Sequence, residues 1–498
     1  MFLLFLNKEK ILVMSRKVQF GTGGFRGIIG DDFNKENVRL IAQALSNIIK
    51  ENNQTDRPVI VGFDNRFLSD FAAKWFCEVL SANGIHSLLF THAVPTPTVM
   101  STTRDLKTYY GAMITASHNP YYFNGIKIFT SEGYDADVAF TSLLEKKINE
   151  VDKIHVLNER LARNEGFIKD YDNLGNYIAH IKSFIDPTIA KNKLKVLYNN
   201  MNGVGVIGLK PLAEKLHIYQ FVIMNEDHDA FFGFNLPNPT KDALAGEFSE
   251  TIVNQGYDLG MATDSDGDRL GIVDEKGNYV SANEILASIY EYLITYRGYD
   301  GDIVKNCATS VLVDLVAEKL GRKCHEVDVG FKNITQGMKD FDALLGGESS
   351  GGLTMKGYIY GKDATFAGAL FLEMVIKLNK PVSQIMKELK ESVGYNYYFS
   401  EDFITLNVNA NKVLEYMRAN KPDLSVPYEE VNVFNRNMKF LFPDRQWLLL
   451  RLSGTEPAFR IFAEFKDQNT AKKLVEELKE YIKKVQDIVA IEMGEKIV

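Results

Sequence analysis

Three carboxylates alternate in "TDSDGDRLG", at Asp264, Asp266 and Asp268. Carboxylates two residues apart on one loop repel unless a cation shares them, and oxygen-only ligands favour Mg²⁺ or Ca²⁺ over zinc. The spacing also fits the first half of an EF-hand, with Glu275 at the twelfth position. Yet the sixth position is Arg269, where that loop needs glycine for its turn, and the flanks read as strands, so calcium sensing is rejected. The second candidate is Ser117, in the stretch "MITASHNPYYFNGIKIF". An apolar run stops at Thr-Ala-Ser-His-Asn-Pro and resumes after Asn124-Gly125, which puts one serine on a turn between two extended segments.

Two more loops carry polar groups. In "LGGESSGGLT", Glu348 and Ser350 stand between glycine pairs, a carboxylate and a hydroxyl suited to hydrogen-bonding vicinal sugar hydroxyls. Alone, this loop reads more plainly as a Gly/Ser-rich turn. In "RLSGTEPAFR", Arg451, Ser453, Gly454 and Thr455 offer a guanidinium fork, hydroxyls and amides, the donors a dianionic phosphate needs, and Arg460 adds charge. A rival from another class is "GVGVIG" at 203–208. It follows a strand, opens a helix and precedes acidic Glu226, the spacing of a dinucleotide-dependent oxidoreductase. It has no identifiable catalytic partner, and glycines at such a turn often serve only the backbone.

Repeated strand–helix–strand units must position these loops. "RPVIVGFDN", "FLSDFAAKWFCEVLSANG" and "IHSLLFTHAVPTP" form one; "KLKVLYNN", "VIGLKPLAEKLH" and "IYQFVIM" a second; "GDIVKNC", "SVLVDLVAEKLG" and "RKCHEVDV" a third. "LAEKLH" and "VAEKLG" fall at matching places, a faint internal repeat. The last hundred residues differ: "RQWLLLRLS" and "AFRIFAEF" read as neighbouring strands, followed by a helix from an Asn/Thr cap with Leu474, Leu478 and Ile482 on one face. The expected organisation is α/β, with three related domains of mixed sheets at 14–168, 169–278 and 279–395 and an α+β domain at 396–498.

Composition agrees with an ordinary globular chain: 498 residues, 45% apolar and 24% charged. Lys and Arg number 57 against 65 Asp and Glu, a net charge of −8 that repels nucleic acid and anionic membrane. Three distant cysteines argue for a reducing compartment without disulfides or zinc. The apolar run at 2–6 is shorter than a signal-peptide core and no later window spans a bilayer, so the expected location is cytoplasmic. Met14 offers an alternative start.

A serine on an exposed turn, a dication site and a phosphate cradle together suit phosphoryl transfer through a phosphoserine. With "FGTGGFRG", "TASHNP", "DSDGDR", "GGESSGG" and "RLSGTEP" in that order, the chain resembles the α-D-phosphohexomutase superfamily, the phosphoglucomutase/phosphomannomutase enzymes. The resemblance runs from about residue 19 to the C-terminus and is most like a bacterial-type phosphoglucomutase. It implies a phosphorylated Ser117, with Mg²⁺ held by Asp264, Asp266, Asp268 and a phosphoryl oxygen on Ser117. It implies active-site places for Arg26, His118, Lys127 and Arg269, with Lys127 and Arg26 the candidates for proton transfer and charge stabilisation. Glu348 and Ser350 match sugar-hydroxyl readers, and Lys305 matches another substrate contact. Arg451, Ser453, Gly454 and Thr455 match a distal phosphate clamp. The glycines of "GVGVIG" become structural. Glucose 1,6-bisphosphate is the implied activator and intermediate.

Departures bear on substrate. Dual-specificity phosphomannomutase types carry His where this chain has Gly352, and glucosamine types carry Gln where it has Ser349. "YGKDATFAG" resembles a Lys-Asp-Gly segment of glucose-type enzymes, with Ala364 for Gly, which adds Lys362 as a contact. Glucose phosphates are favoured, with mannose phosphate the close alternative and a pentose phosphate the remoter one.

Overall fold

Apolar runs of four to eight residues bounded by Gly, Asn and Asp become strands throughout the chain. The computed structural model describes residues 18–21, 23–190, 192–453 and 457–493. The Met14 start and the clamp residues Gly454 and Thr455 lie outside the described residues.

The first three sheets share one core plan. In the first, Val59–Phe63 runs parallel to both Ser87–Phe90 and Tyr110–Ile114, and Phe123–Thr130 returns antiparallel to Tyr110–Ile114. In the second, Lys195–Asn199 pairs in parallel with Gln220–Met224 and Leu259–Thr263, and Leu270–Asp274 returns antiparallel. In the third, Ile303–Asn306 pairs with Cys324–Val327 and Leu345–Gly347, and Leu353–Met355 returns. Each sheet therefore ends its parallel part in one hairpin. These hairpin turns are the serine loop, the aspartate loop and the glutamate loop. The strand Ile168–Tyr171 pairs with Ser87–Phe90, so the first sheet continues across the 168/169 division.

The expected strand over "IHSLLFTHAVPTP" is shorter in the structure. It stops at Phe90, and Thr96–Asp105 is a helix with Pro97 in its first turn, where a missing amide costs nothing. The C-terminal sheet is antiparallel, with Trp447–Leu452 between Ala458–Phe465 and Asn437–Leu441. The helix Gln468–Met493 covers it through Leu474, Leu478 and Ile482, all fully buried. Its cap is Asp467 rather than the expected Asn/Thr pair, because the Asp467 carboxylate accepts the Thr470 amide at 2.8 Å.

One apolar cluster runs from Phe90 and Met113 through Tyr198 and Met261 to Leu345 and Phe371, fastening the three α/β units together. The fourth unit docks on the third through Trp447, Leu449 and Phe462 against Cys307 and Val311. Among the described residues no helix is long and apolar enough to cross a membrane.

Candidate active site

The serine and aspartate loops meet face to face. Ser117 is not on an exposed turn as the sequence suggests: it is 1% exposed because the aspartate loop covers it, and its Oγ donates to Asp264 Oδ2 at 3.0 Å, with His118 Nδ1 at 3.3 Å. Asp264, Asp266 and Asp268 are buried, with one ligand oxygen of each within 4.8 Å of the others. Lys127 reaches across from the serine hairpin to Asp266 at 2.6 Å and Asp268 at 2.9 Å, and Lys362 reaches Asp268 at 3.1 Å. Arg269 Nε lies 3.9 Å from Asp268 Oδ1.

Two carboxylate oxygens in this cluster, Asp266 Oδ1 and Asp268 Oδ1, are buried without a hydrogen-bond partner among the described residues. Orphaned anionic oxygens within a close group of three carboxylates are what a hard dication requires, so the donor set fits such an ion. The electrostatics agree. Burial, then the charges of Asp268 and Asp266, push Asp264 well above the usual carboxylate range, a strain that a shared cation relieves.

Around the carboxylates stands a ring of cations. Burial and then Arg269 lower the Arg26 guanidinium to about 10, while its Nη1 donates to Asn119 at 2.6 Å. Burial works against the charge of Lys127, but Asp266 and Asp268 overcome it and hold the ammonium above its ordinary value. Burial, then Arg269 and Arg26, push His118 well below its ordinary value, so its imidazole stays neutral.

The glutamate loop closes on the aspartate loop: Gly351 O accepts the Leu270 amide at 3.1 Å. A Cβ on Gly352 would lie 2.2 Å from Lys362 Cδ, so the lysine crosses the loop over a glycine on its way to Asp268. Glu348 accepts from Asn306 Nδ2 at 3.0 Å and the Gly330 amide at 3.1 Å, and Ser350 Oγ lies 3.5 Å from it. Arg451 is pulled down by burial, with Glu348 acting the other way. Arg460 faces Arg451 across the strand pair and forms an ion pair with Glu401 at 3.0 Å.

Lys305 does not join these groups. Its ammonium is buried against Asp314 and donates to Thr309 O at 3.3 Å and Ser310 O at 3.2 Å, so its three protons are committed to the third unit itself. The "GVGVIG" turn is also occupied by protein. A Cβ on Gly203 would sit 2.8 Å from the Ser265 backbone, and one on Gly205 2.1 Å from Thr263 Oγ1. These glycines let the turn press against the aspartate loop, and Glu226 is paired with Lys210 at 2.6 Å.

Sequence reasoning missed several supports. Thr96 opens its helix on Asp266, donating Oγ1 at 2.6 Å and its amide at 2.9 Å to the aspartate's side chain and carbonyl. Asp64 and Arg66 follow a buried strand, and Thr115 Oγ1 donates to Asp64 at 2.6 Å. The available signal was position: charged residues just past the C-terminal end of a parallel strand face the ligand side of an α/β sheet.

Next to Lys362, Asp363 caps the helix Ala364–Leu378 and accepts from Tyr177 at 2.9 Å and Tyr358 at 2.6 Å. Burial raises its carboxyl from 3.8 to about 6 despite these donors. The folded chain thus holds this proton more tightly than the unfolded chain. The carboxyl's contribution to stability is complete below about pH 4 and is lost as pH rises through 6. Asp363→Asn should gain on the parent protein by an amount on the order of 3 kcal/mol between pH 4 and 7. Thermal unfolding of both across that range checks this, and a constant difference would refute it.

Three α/β units thus each send the same hairpin turn towards a cluster of carboxylates and cations, with a fourth sheet docked on the third unit. The chain belongs to the phosphoglucomutase/phosphomannomutase family: it matches "Phosphoglucomutase/phosphomannomutase, alpha/beta/alpha domain I" over 17–155, domain II over 175–277 and domain III over 281–393. It is 28% identical over 459 residues to a phosphoglucomutase/phosphomannomutase of Thermococcus kodakarensis, covering 92% of this chain and 96% of the relative. It is also 28% identical over 466 residues to a phosphoglucosamine mutase of Nitratiruptor, covering 93% and 98%. A crystal structure from Thermus thermophilus, described as that of a "putative phosphomannomutase", superposes with a TM-score of 0.81 at 25% identity over 94% of this chain and 99% of its own.

Proposed function

We propose that this phosphohexomutase interconverts glucose 1-phosphate and glucose 6-phosphate through a phosphoserine at Ser117 and glucose 1,6-bisphosphate. The observation that supports it most is the Ser117 hydroxyl bonded to Asp264 inside a carboxylate cluster with two orphaned oxygens. Mg²⁺ held by Asp264, Asp266 and Asp268 would neutralise charge on a phosphoryl group carried by Ser117.

In the first transfer, a free hydroxyl of the sugar phosphate attacks phosphorus. The new O–P bond forms as the bond to Ser117 Oγ breaks, and the proton of the attacking hydroxyl ends on Ser117 Oγ, which is left as the serine hydroxyl. Lys127, kept protonated by its two aspartates, suits charge stabilisation. Arg26, which holds its proton less tightly, is the candidate for proton transfer. Neutral His118 keeps a hydrogen bond to the serine oxygen without adding charge. The bisphosphate then turns round and returns its other phosphoryl group to Ser117. Arg451 and Ser453, with Gly454 and Thr455, hold whichever phosphate is not reacting, while Glu348 and Ser350 read the sugar hydroxyls.

The relatives' names divide between glucose, mannose and glucosamine phosphates. Gly352 stands where the dual-specificity type carries histidine, and Lys362 crosses directly over it, which supports glucose. Coupled assays on the 1-phosphates of glucose, mannose, glucosamine and ribose should give the highest kcat/KM for glucose, by about tenfold or more over mannose. A higher value for any other sugar would overturn the assignment.

A further inference from the structure

Ser117 sits at φ +51°, in the left-handed region that non-glycine residues avoid. Something must hold it there. Its amide donates to Thr115 Oγ1 at 2.8 Å, and its carbonyl accepts from both Arg66 Nη2 and Ser265 Oγ. Arg66 gathers the rest of the turn as well, donating to Asn119 O at 2.6 Å, Pro120 O at 2.9 Å and Phe123 O at 3.0 Å. Its side chain and that of Asp64, 3.4 Å away, are both fully buried. The Phe232 ring closes the other side, 4.9 Å from the guanidinium carbon.

One guanidinium thus grips four carbonyls of the serine turn, which requires a planar fork of several donors and is beyond a lysine's single ammonium. Ser265 stands between Asp264 and Asp266, and Arg66 Nη2 lies 3.3 Å from its hydroxyl. The serine turn of the first unit and the aspartate loop of the second are therefore tied at one oxygen, the carbonyl of Ser117. Asp64 anchors the assembly, since it also accepts from Thr115, whose oxygen receives the Ser117 amide.

We propose that Arg66 and Ser265 are positioning residues whose joint hold on the Ser117 carbonyl sets the placement of the serine oxygen against the carboxylate cluster, and so sets the transfer rate without touching the substrate. The inference rests on the phosphoserine reading above. Neither residue takes or gives a proton in the reaction. Their effect is geometric, and an error of about 1 Å in such a site costs on the order of 100-fold in rate.

Turnover of glucose 1-phosphate with Mg²⁺ and glucose 1,6-bisphosphate, divided by the fraction of chains phosphorylated on Ser117 by mass spectrometry, tests this. Arg66→Lys should lower kcat per phosphorylated chain about 100-fold and Ser265→Ala about tenfold, with KM within about threefold of the parent in both. A residue that served folding alone would lower the melting temperature and the phosphorylated fraction but leave kcat per phosphorylated chain unchanged, and that result overturns the proposal. If Arg66→Lys yields no folded protein, Ser265→Ala, which deletes one hydroxyl, decides by the same criterion. A parent enzyme that turns over without ever carrying phosphate on Ser117 would instead overturn the phosphoserine reading, which the unmutated protein reveals separately.

Discussion

Ser117→Ala is expected to lose turnover by about 10⁴-fold or more, because the phosphoryl group then has no serine oxygen on which to be parked against the aspartates. The parent protein should show a mass increment of one phosphoryl group on the peptide containing Ser117. The variant should show none. Added glucose 1,6-bisphosphate should not rescue it, since the bisphosphate can only recharge an oxygen that exists. The substitution removes one hydroxyl from a buried turn whose backbone hydrogen bonds remain, so the fold should survive. Substantial activity in Ser117→Ala would end the phosphoserine mechanism.

Asp266→Ala should be nearly as damaging for a different reason. Asp266 carries one of the two orphaned oxygens, and its other oxygen binds both Lys127 and Thr96. Removing the carboxylate leaves two anionic ligands for a strongly hydrated dication and leaves the Lys127 ammonium paired with Asp268, one of those two. Mg²⁺ affinity should fall at least about 100-fold, with turnover falling alongside. Calorimetric titration of both proteins with Mg²⁺ checks the first part independently of activity. Unchanged affinity would mean that the ion is held elsewhere.

The residues proposed to do chemistry were largely legible because they sit on turns, where glycine, proline and short polar side chains interrupt apolar runs and stand out by composition. Ser117, the three aspartates and Glu348 are all of this kind. What a linear reading cannot see is who fills the space around a residue. Lys305 reads in the sequence as a substrate contact, and nothing there shows that Asp314, nine residues later, lies beside its ammonium. The "GVGVIG" spacing satisfies a dinucleotide pattern, yet Thr263 and Ser265 occupy the ground the ligand would need. Arg66 was hidden for the opposite reason: it lies directly after an apolar strand and reads as a strand end, whereas its partners are carbonyl oxygens 51 to 57 residues away. Carbonyls carry no sequence signature. Strand positions were clear from their apolar runs, while the early stop at Phe90 depended on recognising a proline in a helix's first turn.

The shared hairpin plan of the three α/β units has a consequence for the life of the nascent chain. Each unit has its own sheet and can begin folding as soon as its strands are made, but no unit contains a site by itself. Ser117 is synthesised with the first, the three aspartates with the second, Glu348 with the third and Arg451 last. A ribosome-bound intermediate thus carries Ser117 before the aspartate loop that it bonds to has been made. Competence arrives only when the seams close, which makes catalytic activity a stringent reporter of completed assembly. A lesion in any seam should idle the enzyme while most of its secondary structure persists.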